Sequence, residues 1–156
     1  GRAYAQTAGI PLVDTDQMIE EEAGMTISDI FRLKGEEFFR ETETAVLKKL
    51  QKETEPKVIS VGGGLPLREE NRALLKQLGT VVYLDVLPET VMERIGSDVS
   101  DRPMLHASDV MGRIVSLLES RKPHYLEASH IIVDVNGRDV DDIVEEIYRR
   151  AADKTC

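Results

Sequence analysis

The stretch VISVGGGLPLREENR, residues 58–72, decides the fold of this chain. An apolar run of strand character, 58–61, leads into three consecutive glycines, and a polar segment with helical propensity follows them. A strand, a glycine loop and a helix in this order outline a phosphate-binding loop. No Lys-Ser or Lys-Thr pair follows, as such a loop would require. The glycine loop (Gly62, Gly63 and Gly64) therefore suits a small ligand with hydroxyls or a carboxylate, which the backbone can approach closely.

Similar apolar runs recur along the chain and alternate with helical segments. Four runs predict strands, at 10–14, 57–61, 80–86 and 130–135. They are continuously apolar, which is typical of parallel strands covered on both faces. Three longer segments have helical periodicity, at 36–52, 108–125 and 139–152. The alternation predicts an α/β fold with a doubly wound parallel sheet, in which ligands bind beyond the carboxyl ends of the strands.

The composition predicts a cytoplasmic protein that acts on small molecules. The 156 residues are 41% hydrophobic and 31% charged, and the formal net charge of -9 argues against nucleic acid and against anionic membrane surfaces. No apolar run approaches the length of a membrane span, and we expect no signal peptide at the start GRAYAQTAG. The single cysteine, Cys156, allows no intrachain disulfide and fits a reducing compartment.

Asp14 is the last residue of the first predicted strand, and Asp16 follows two residues later. Two carboxylates two residues apart could hold a metal-bound water and a substrate hydroxyl. Alternatively, one of them caps the helix that follows. Their position at the ligand edge of the sheet, together with the glycine loop, favours a functional role.

Arg40 and Glu43 are three residues apart and therefore share one face of a helix. Phe39, Val46 and Leu50 define the apolar side of the same helix. Glu43 could hold Arg40 in position to bind a carboxylate. The alternative is a surface ion pair, which contributes little to stability.

Two further arginines are candidates for a site. Arg121 continues the stripe of Val110, Ile114 and Leu117, and an arginine that points toward a core needs an anionic partner. Alternatively, its charged end reaches solvent at the end of the helix. Arg102 lies in a polar segment before that helix, where a loop could close over a site, or it is a solvated loop residue.

The chain resembles the shikimate kinases over nearly its whole length. The resemblance rests on five segments in the family's order and spacing: 11–43, VISVGGGLPLREENR, TVVYLDVLPETVMERI, DRPML and LLESRKPHY. Gluconate and nucleoside-monophosphate kinases share the fold class but are not expected to show the DTD, FR, GGG and RP motifs together. The resemblance implies a three-layer P-loop kinase architecture like that of nucleoside-monophosphate kinases. It also implies a monomer, with residues 1–156 as one domain and a mobile lid around 96–109.

The resemblance implies ATP-dependent phosphorylation of the 3-hydroxyl of shikimate, a step of aromatic amino acid and chorismate biosynthesis, with Mg²⁺ as cofactor. By motif matching, Asp16 would contact the substrate hydroxyls and position or deprotonate the nucleophile. Arg40 and Arg121 would bind the substrate carboxylate, and Glu43 would orient the site. The glycine loop would hold the substrate through its backbone.

The same matching implies the donor side of the site. Arg102, on the lid, would reach the phosphates as charge develops. Asp14 would lie near Mg²⁺, with a water between them. Arg138, in the segment VNGRD, matches a position near the adenine of ATP.

The sequence departs from the family pattern before GRAYAQTAG. There the family has its first strand and a G-x-x-x-x-G-K-[ST] loop, and these 156 residues contain neither. We therefore expect a fragment that lacks the first, central strand of the sheet and is inactive by itself. The alternative is a non-catalytic relative without the P-loop that binds shikimate or a protein partner. The DNA upstream of Gly1 would distinguish the two.

Overall fold

The structure is a computed structural model that describes residues 1–99 and 107–154. The chain divides into two compact units, Gly1–Val81 and Val82–Cys156. The first unit contains α1 (Arg2–Ala8), β1 (Leu12–Asp14), α2 (Thr15–Ala23), α3 (Ile27–Leu33), α4 (Glu36–Gln51), β2 (Val58–Ser60), a 3-10 turn (Leu65–Leu67) and α5 (Glu69–Leu78). The second unit contains β3 (Val82–Asp85), α6 (Pro88–Val99), α7 (Ala107–Ala128), β4 (Ile131–Asp134) and α8 (Val140–Lys154).

All four predicted strands are confirmed, and each pairs in parallel. In the first unit β1 pairs with β2, with Leu12 opposite Val58 and Asp14 opposite Ser60. In the second unit β3 pairs with β4 along their whole length. The prediction of an α/β fold with parallel strands is therefore confirmed. Because β1 and β2 end side by side, the segments after them, with Asp16 and the glycine loop, start from the same edge.

The core of the first unit lies between α2, α3 and α4. Its buried side chains are those of Ile19, Ile30, Phe39, Val46 and Leu50. The predicted periodicity of α4 is confirmed, because Phe39, Val46 and Leu50 are all buried. Glu43 lies on this buried side as well, so a charged residue continues the apolar face toward the ligand edge.

The second unit has its own core around β4 and α8, made by Ile131, Val133, Val135 and Ile143. In α7 one position of the predicted stripe is wrong: Leu117 is 47% exposed, whereas Leu118 is only partly exposed. Ile114, Leu118 and Arg121 follow the i, i+4, i+7 spacing of one helix face, and all three are partly buried. Arg121 therefore lies on the partly buried face of the helix, and both alternatives of the sequence analysis are compatible with this position.

Within the described ranges 1–99 and 107–154, no helix combines the length and the apolar character needed to cross a bilayer. The expectation that residues 1–156 form one domain with a lid around 96–109 stays a prediction. Residues 100–106 of that segment lie outside the described residues.

Candidate active site

The candidate site lies in the first unit, beyond the carboxyl ends of β1 and β2. The strand β1 ends at Asp14, and α2 begins at the next residue, so Asp16 is held in the first turn of a helix. The strand β2 ends at Ser60, and the glycine loop follows one residue later. The backbone N–H of Gly62 donates to Oγ1 of Thr15 at 3.2 Å, which joins the two segments directly.

Asp14 caps α2. Its Oδ1 accepts the backbone N–H groups of Asp16 at 2.8 Å and of Gln17 at 3.3 Å. The capping alternative of the sequence analysis is therefore observed for Asp14. It leaves Asp16, in the first turn of the helix, without a capping task.

Asp16 lies against Gly62. A Cβ added at Gly62 would be only 2.6 Å from Oδ1 of Asp16, so a side chain at this loop position would displace the carboxylate. Burial raises the pKa of Asp16 above its ordinary value of 3.8, and the nearby charges of Asp14 and Glu20 raise it further. The carboxylate of Asp16 therefore binds a proton more readily than an aspartate in water does. It also lies beside the backbone of the glycine loop.

Arg40 and Glu43 form a largely buried ion pair. Nη1 of Arg40 donates to Oε1 of Glu43 at 2.8 Å, and the side chains are 19% and 1% exposed. This rules out the alternative of a surface ion pair. Burial raises the pKa of Glu43, and the hydrogen bond from Arg40 opposes that rise. The guanidinium also lies over the ring of Phe39, 5.4 Å from its centroid. It is therefore held both by Glu43 and by the ring of Phe39.

The glycine loop reaches Arg40 at its other end. A Cβ added at Gly64 would lie 2.8 Å from Nη2 of Arg40 and closer still to Nη1. The loop therefore contacts Asp16 through Gly62 and Arg40 through Gly64. The structure brings together Asp16, the Arg40–Glu43 pair and the glycine loop, and the roles expected for them stay predictions.

Four polar residues of this site were missed by sequence reasoning: Thr15, Thr44, Arg68 and Asn71. Thr15, Thr44 and Asn71 are buried, with exposed fractions of 0%, 6% and 0%. For two of these residues a signal was available. Thr44 is three residues before the buried Leu47 on α4, and Asn71 is four residues before the buried Leu75 on the inner face of α5. A polar residue on an apolar helix face is a candidate for a buried hydrogen bond.

The remaining predicted site residues are not part of this cluster. Arg121 and Arg138 belong to the second unit, and Arg102 lies outside the described residues. Arg138 is held by its own surroundings, because Nη1 donates to the carbonyl of Asp134 at 2.9 Å and to Oε1 of Glu146 at 2.7 Å. These hydrogen bonds fix Arg138 at the loop that follows β4. The roles expected for these three arginines stay predictions.

The donor chemistry of Asp14 and Asp16 fits a magnesium ion that is held partly through water. Both are hard oxygen donors, and Mg²⁺ is commonly held by one or two carboxylates together with waters and substrate phosphates. Among the residues that the structure describes, no group of three His, Cys, Asp or Glu side chains forms a complete metal cage. Any ion here would therefore need ligands from water and from a bound phosphate.

Comparisons with known proteins identify the relatives of this chain. The profile of the family described as "Shikimate kinase" matches residues 1–152. A shikimate kinase from Symbiobacterium thermophilum is 39% identical over 155 residues, which cover 99% of this chain and 88% of the relative. One from Neisseria meningitidis serogroup C is 42% identical over 135 residues, or 86% of this chain and 78% of the relative.

Solved structures agree. A shikimate kinase from Acinetobacter baumannii in complex with shikimate superposes with a TM-score of 0.84 at 34% identity, covering 99% of this chain and 85% of that chain. A shikimate kinase from Aquifex aeolicus gives a TM-score of 0.80 at 32% identity, with coverage of 99% and 89%.

Proposed function

Because this chain belongs to the shikimate kinase family, we propose that it transfers the γ-phosphoryl group of ATP to the 3-hydroxyl of shikimate. The observation that carries the proposal is the cluster of Asp16, the Arg40–Glu43 pair and the glycine loop at one edge of the first unit. The acceptor is a small carboxylic acid with several hydroxyls. The cluster offers Arg40 for the carboxylate of the acceptor, Asp16 for the reacting hydroxyl, and the backbone of the glycine loop for further contacts.

Arg40 binds the carboxylate of the acceptor in this proposal. A guanidinium recognises a carboxylate through charge-assisted hydrogen bonds in a fixed plane. The 2.8 Å hydrogen bond to Glu43 keeps the guanidinium in that plane before the acceptor arrives. Because Gly62 and Gly64 have no side chains, the backbone of the loop can lie directly against Asp16 and Arg40, where it can also contact the acceptor.

Asp16 orients the reacting hydroxyl and accepts its proton. A general base works best when its pKa lies near the working pH, and burial together with Asp14 and Glu20 raises the pKa of Asp16 in that direction. Phosphoryl transfer depends mainly on positioning and on neutralising charge. A carboxylate fixed in the first turn of a helix supplies the positioning part.

Residues outside this cluster complete the proposal. Arg102 neutralises charge on the phosphates, Arg121 adds a second contact to the acceptor carboxylate, and Arg138 lies near the adenine. Asp14 would hold Mg²⁺ through water. When bound, Mg²⁺ neutralises charge on the phosphate oxygens.

A coupled assay of ADP release tests the proposal, with shikimate, gluconate and nucleoside monophosphates as acceptors. The assay is run on the 156-residue chain with and without whatever coding sequence its gene carries before Gly1. We expect transfer to shikimate by the form that contains a phosphate-binding loop, and a preference for another acceptor would refute the assignment. Tight shikimate binding without transfer in either form would instead favour the non-catalytic relative.

A cytoplasmic location and a monomeric state are also part of the proposal. The resemblance to the family implies both, and the single cysteine of the sequence suits a reducing compartment such as the cytoplasm. Cell fractionation and light scattering on the purified protein test these two points separately.

A further inference from the structure

The glycine loop is anchored at its first residue by a buried hydroxyl. Thr15 is 0% exposed, and its Oγ1 accepts the backbone N–H of Gly62 at 3.2 Å. Thr15 directly precedes Asp16 in the first turn of α2. The same short segment therefore carries the proposed base and the anchor of the loop that faces it.

A second anchor holds the other end of the loop. Asn71 is 0% exposed, and its Nδ2 donates to the carbonyl of Leu65, the residue after Gly64, at 3.0 Å. Its Oδ1 accepts the hydroxyl of Thr44 at 2.7 Å. Asn71 thus joins the end of the loop to the helix α4, which carries Arg40 and Glu43.

The link continues from Thr44 to Arg40. Thr44 lies one turn after Arg40 on α4, with its Oγ1 3.2 Å from the Arg40 carbonyl. Nη1 of Arg68 donates to that carbonyl and to the Thr44 hydroxyl, both at 3.3 Å. A chain of hydrogen bonds therefore runs from the loop through Asn71, Thr44 and Arg68 to the carbonyl of Arg40.

A loop of three glycines needs such anchors to keep one position. A segment of three glycines has unusual conformational freedom, so it does not define its own distance from Asp16 and Arg40. A buried amide needs partners for both its donor and its acceptor, and for Asn71 these are the Leu65 carbonyl after the loop and the Thr44 hydroxyl on α4.

We propose that Thr15 and Asn71, the latter through Thr44, are positioning residues that fix the two ends of the glycine loop and so set its distance from Asp16 and Arg40. The proposal rests on the proposed function, because the loop and Arg40 are taken to bind shikimate. Their side-chain hydrogen bonds go to the loop and to α4, so their effect on the acceptor is indirect.

Two valine variants remove the hydroxyls with little change of shape. Thr15→Val removes the acceptor for Gly62, and Thr44→Val removes the donor to Asn71. Thr15→Ser and Thr44→Ser keep the hydroxyl and serve as rescue variants. Thr42→Val is the matched control, because Thr42 lies on the same helix and donates only locally, to the carbonyl of Phe38 at 2.8 Å.

Calorimetric titration with shikimate and with its methyl ester is the readout. We expect Thr15→Val and Thr44→Val to raise the Kd for shikimate about tenfold, the effect of losing roughly one net hydrogen bond. The serine variants and Thr42→Val should stay within about twofold. Thr44→Val should also reduce the preference for shikimate over its methyl ester. The substitution disturbs the placement of Arg40, and the ester has no carboxylate for Arg40 to bind.

The possible results of this titration distinguish the positioning role from the proposed function. If the folded valine variants bind shikimate as tightly as the wild type, with only a lower Tm, the positioning role is refuted. If Thr44→Val does not fold, Asn71→Asp tests the same end, because it keeps the size of the residue but loses the donor to Leu65. In that case an unchanged Kd refutes the role. Failure of the wild type itself to bind shikimate refutes the proposed function instead.

Discussion

At Asp16 the ionised carboxylate, which the proposed reaction needs as its proton acceptor, makes the folded state less stable. Burial, and then the charges of Asp14 and Glu20, raise the pKa of Asp16 above 3.8. Between 3.8 and this raised pKa the folded state binds more protons than the unfolded chain. The stabilising contribution of the protonated form is therefore complete at acid pH and is lost as the pH rises through the raised pKa. At neutral pH the ionised carboxylate makes the folded state less stable.

Asp16→Asn should therefore raise the Tm at neutral pH and leave the most acid end of the pH profile nearly unchanged. The same variant should lower kcat by at least about a hundredfold, because the proton acceptor is lost. Thermal unfolding against pH and the coupled assay measure the two effects. Asp29→Asn is the control, since it removes a charge from an exposed pair with Arg32. A lower Tm for Asp16→Asn at neutral pH would contradict this account.

The two end glycines of the loop should respond differently to alanine. In Gly62→Ala the new Cβ meets the carboxylate of Asp16, so kcat should fall most. In Gly64→Ala it meets the guanidinium of Arg40, so the affinity for shikimate should fall, by about tenfold or more. Steady-state kinetics separates kcat from KM.

Gly79→Ala is the control for both loop variants, because no atom lies within 4 Å of its added Cβ and its φ of 164° is extended. We expect it to change stability by no more than about 0.5 kcal/mol. Equal effects of Gly62→Ala and Gly64→Ala on kcat and KM would show that the two ends of the loop have no separate tasks.

Arg102 and Arg121 should also have separable effects. Arg102→Ala should mainly lower kcat, since its charge is needed as charge develops on the phosphates. Arg121→Ala should mainly raise the KM for shikimate, through loss of a charge-assisted contact to the carboxylate. Arg32→Ala, with a side chain 69% exposed, is the control. The same balance of kcat and KM effects in both variants would contradict this division.

At the scale of a secondary-structure element, Asp14 combines two tasks at the start of α2. Its Oδ1 caps the helix, and the proposal also places it near Mg²⁺. Asp14→Asn keeps a capping oxygen, whereas Asp14→Ala loses it at a cost of about 1 kcal/mol in unfolding free energy. The two substitutions therefore separate capping from metal binding.

We expect Asp14→Asn to keep the Tm of the wild type and to require more Mg²⁺ for half-maximal activity. Asp14→Ala should show the same magnesium requirement and a lower Tm. Thermal unfolding and a magnesium titration of the coupled assay measure the two properties. An unchanged magnesium requirement in both variants would leave Asp14 with the capping role only.

Elements were predicted well where their pattern was local. In α4 a period of 3.6 residues places Phe39, Val46 and Leu50 on the buried side, and the structure confirms this. In α7 the apolar residues Leu117 and Leu118 are adjacent, and periodicity alone gives no reason to prefer one over the other. The structure turns Leu118 inward, which is decided by packing against the rest of the second unit.

At the scale of the whole molecule, the acceptor site was predictable because parallel strands bring their carboxyl ends to one edge. Asp16 and the glycine loop could therefore be placed together from sequence. The buried hydrogen bonds could not, because they join residues far apart: Thr15 with Gly62, 47 positions away, and Thr44 with Asn71, 27 positions away. The pattern of a single sequence predicts which face of a helix or strand is buried, but it does not predict which residues of other elements lie against that face.

The close approach of Gly62 and Gly64 to charged groups has a consequence for drug resistance. Every single-base change in a glycine codon that replaces the residue by another amino acid adds a Cβ, and a Cβ at these positions collides with Asp16 or Arg40. An inhibitor whose contacts are concentrated on the backbone of this loop therefore faces a target in which a substitution at Gly62 or Gly64 must also displace Asp16 or Arg40.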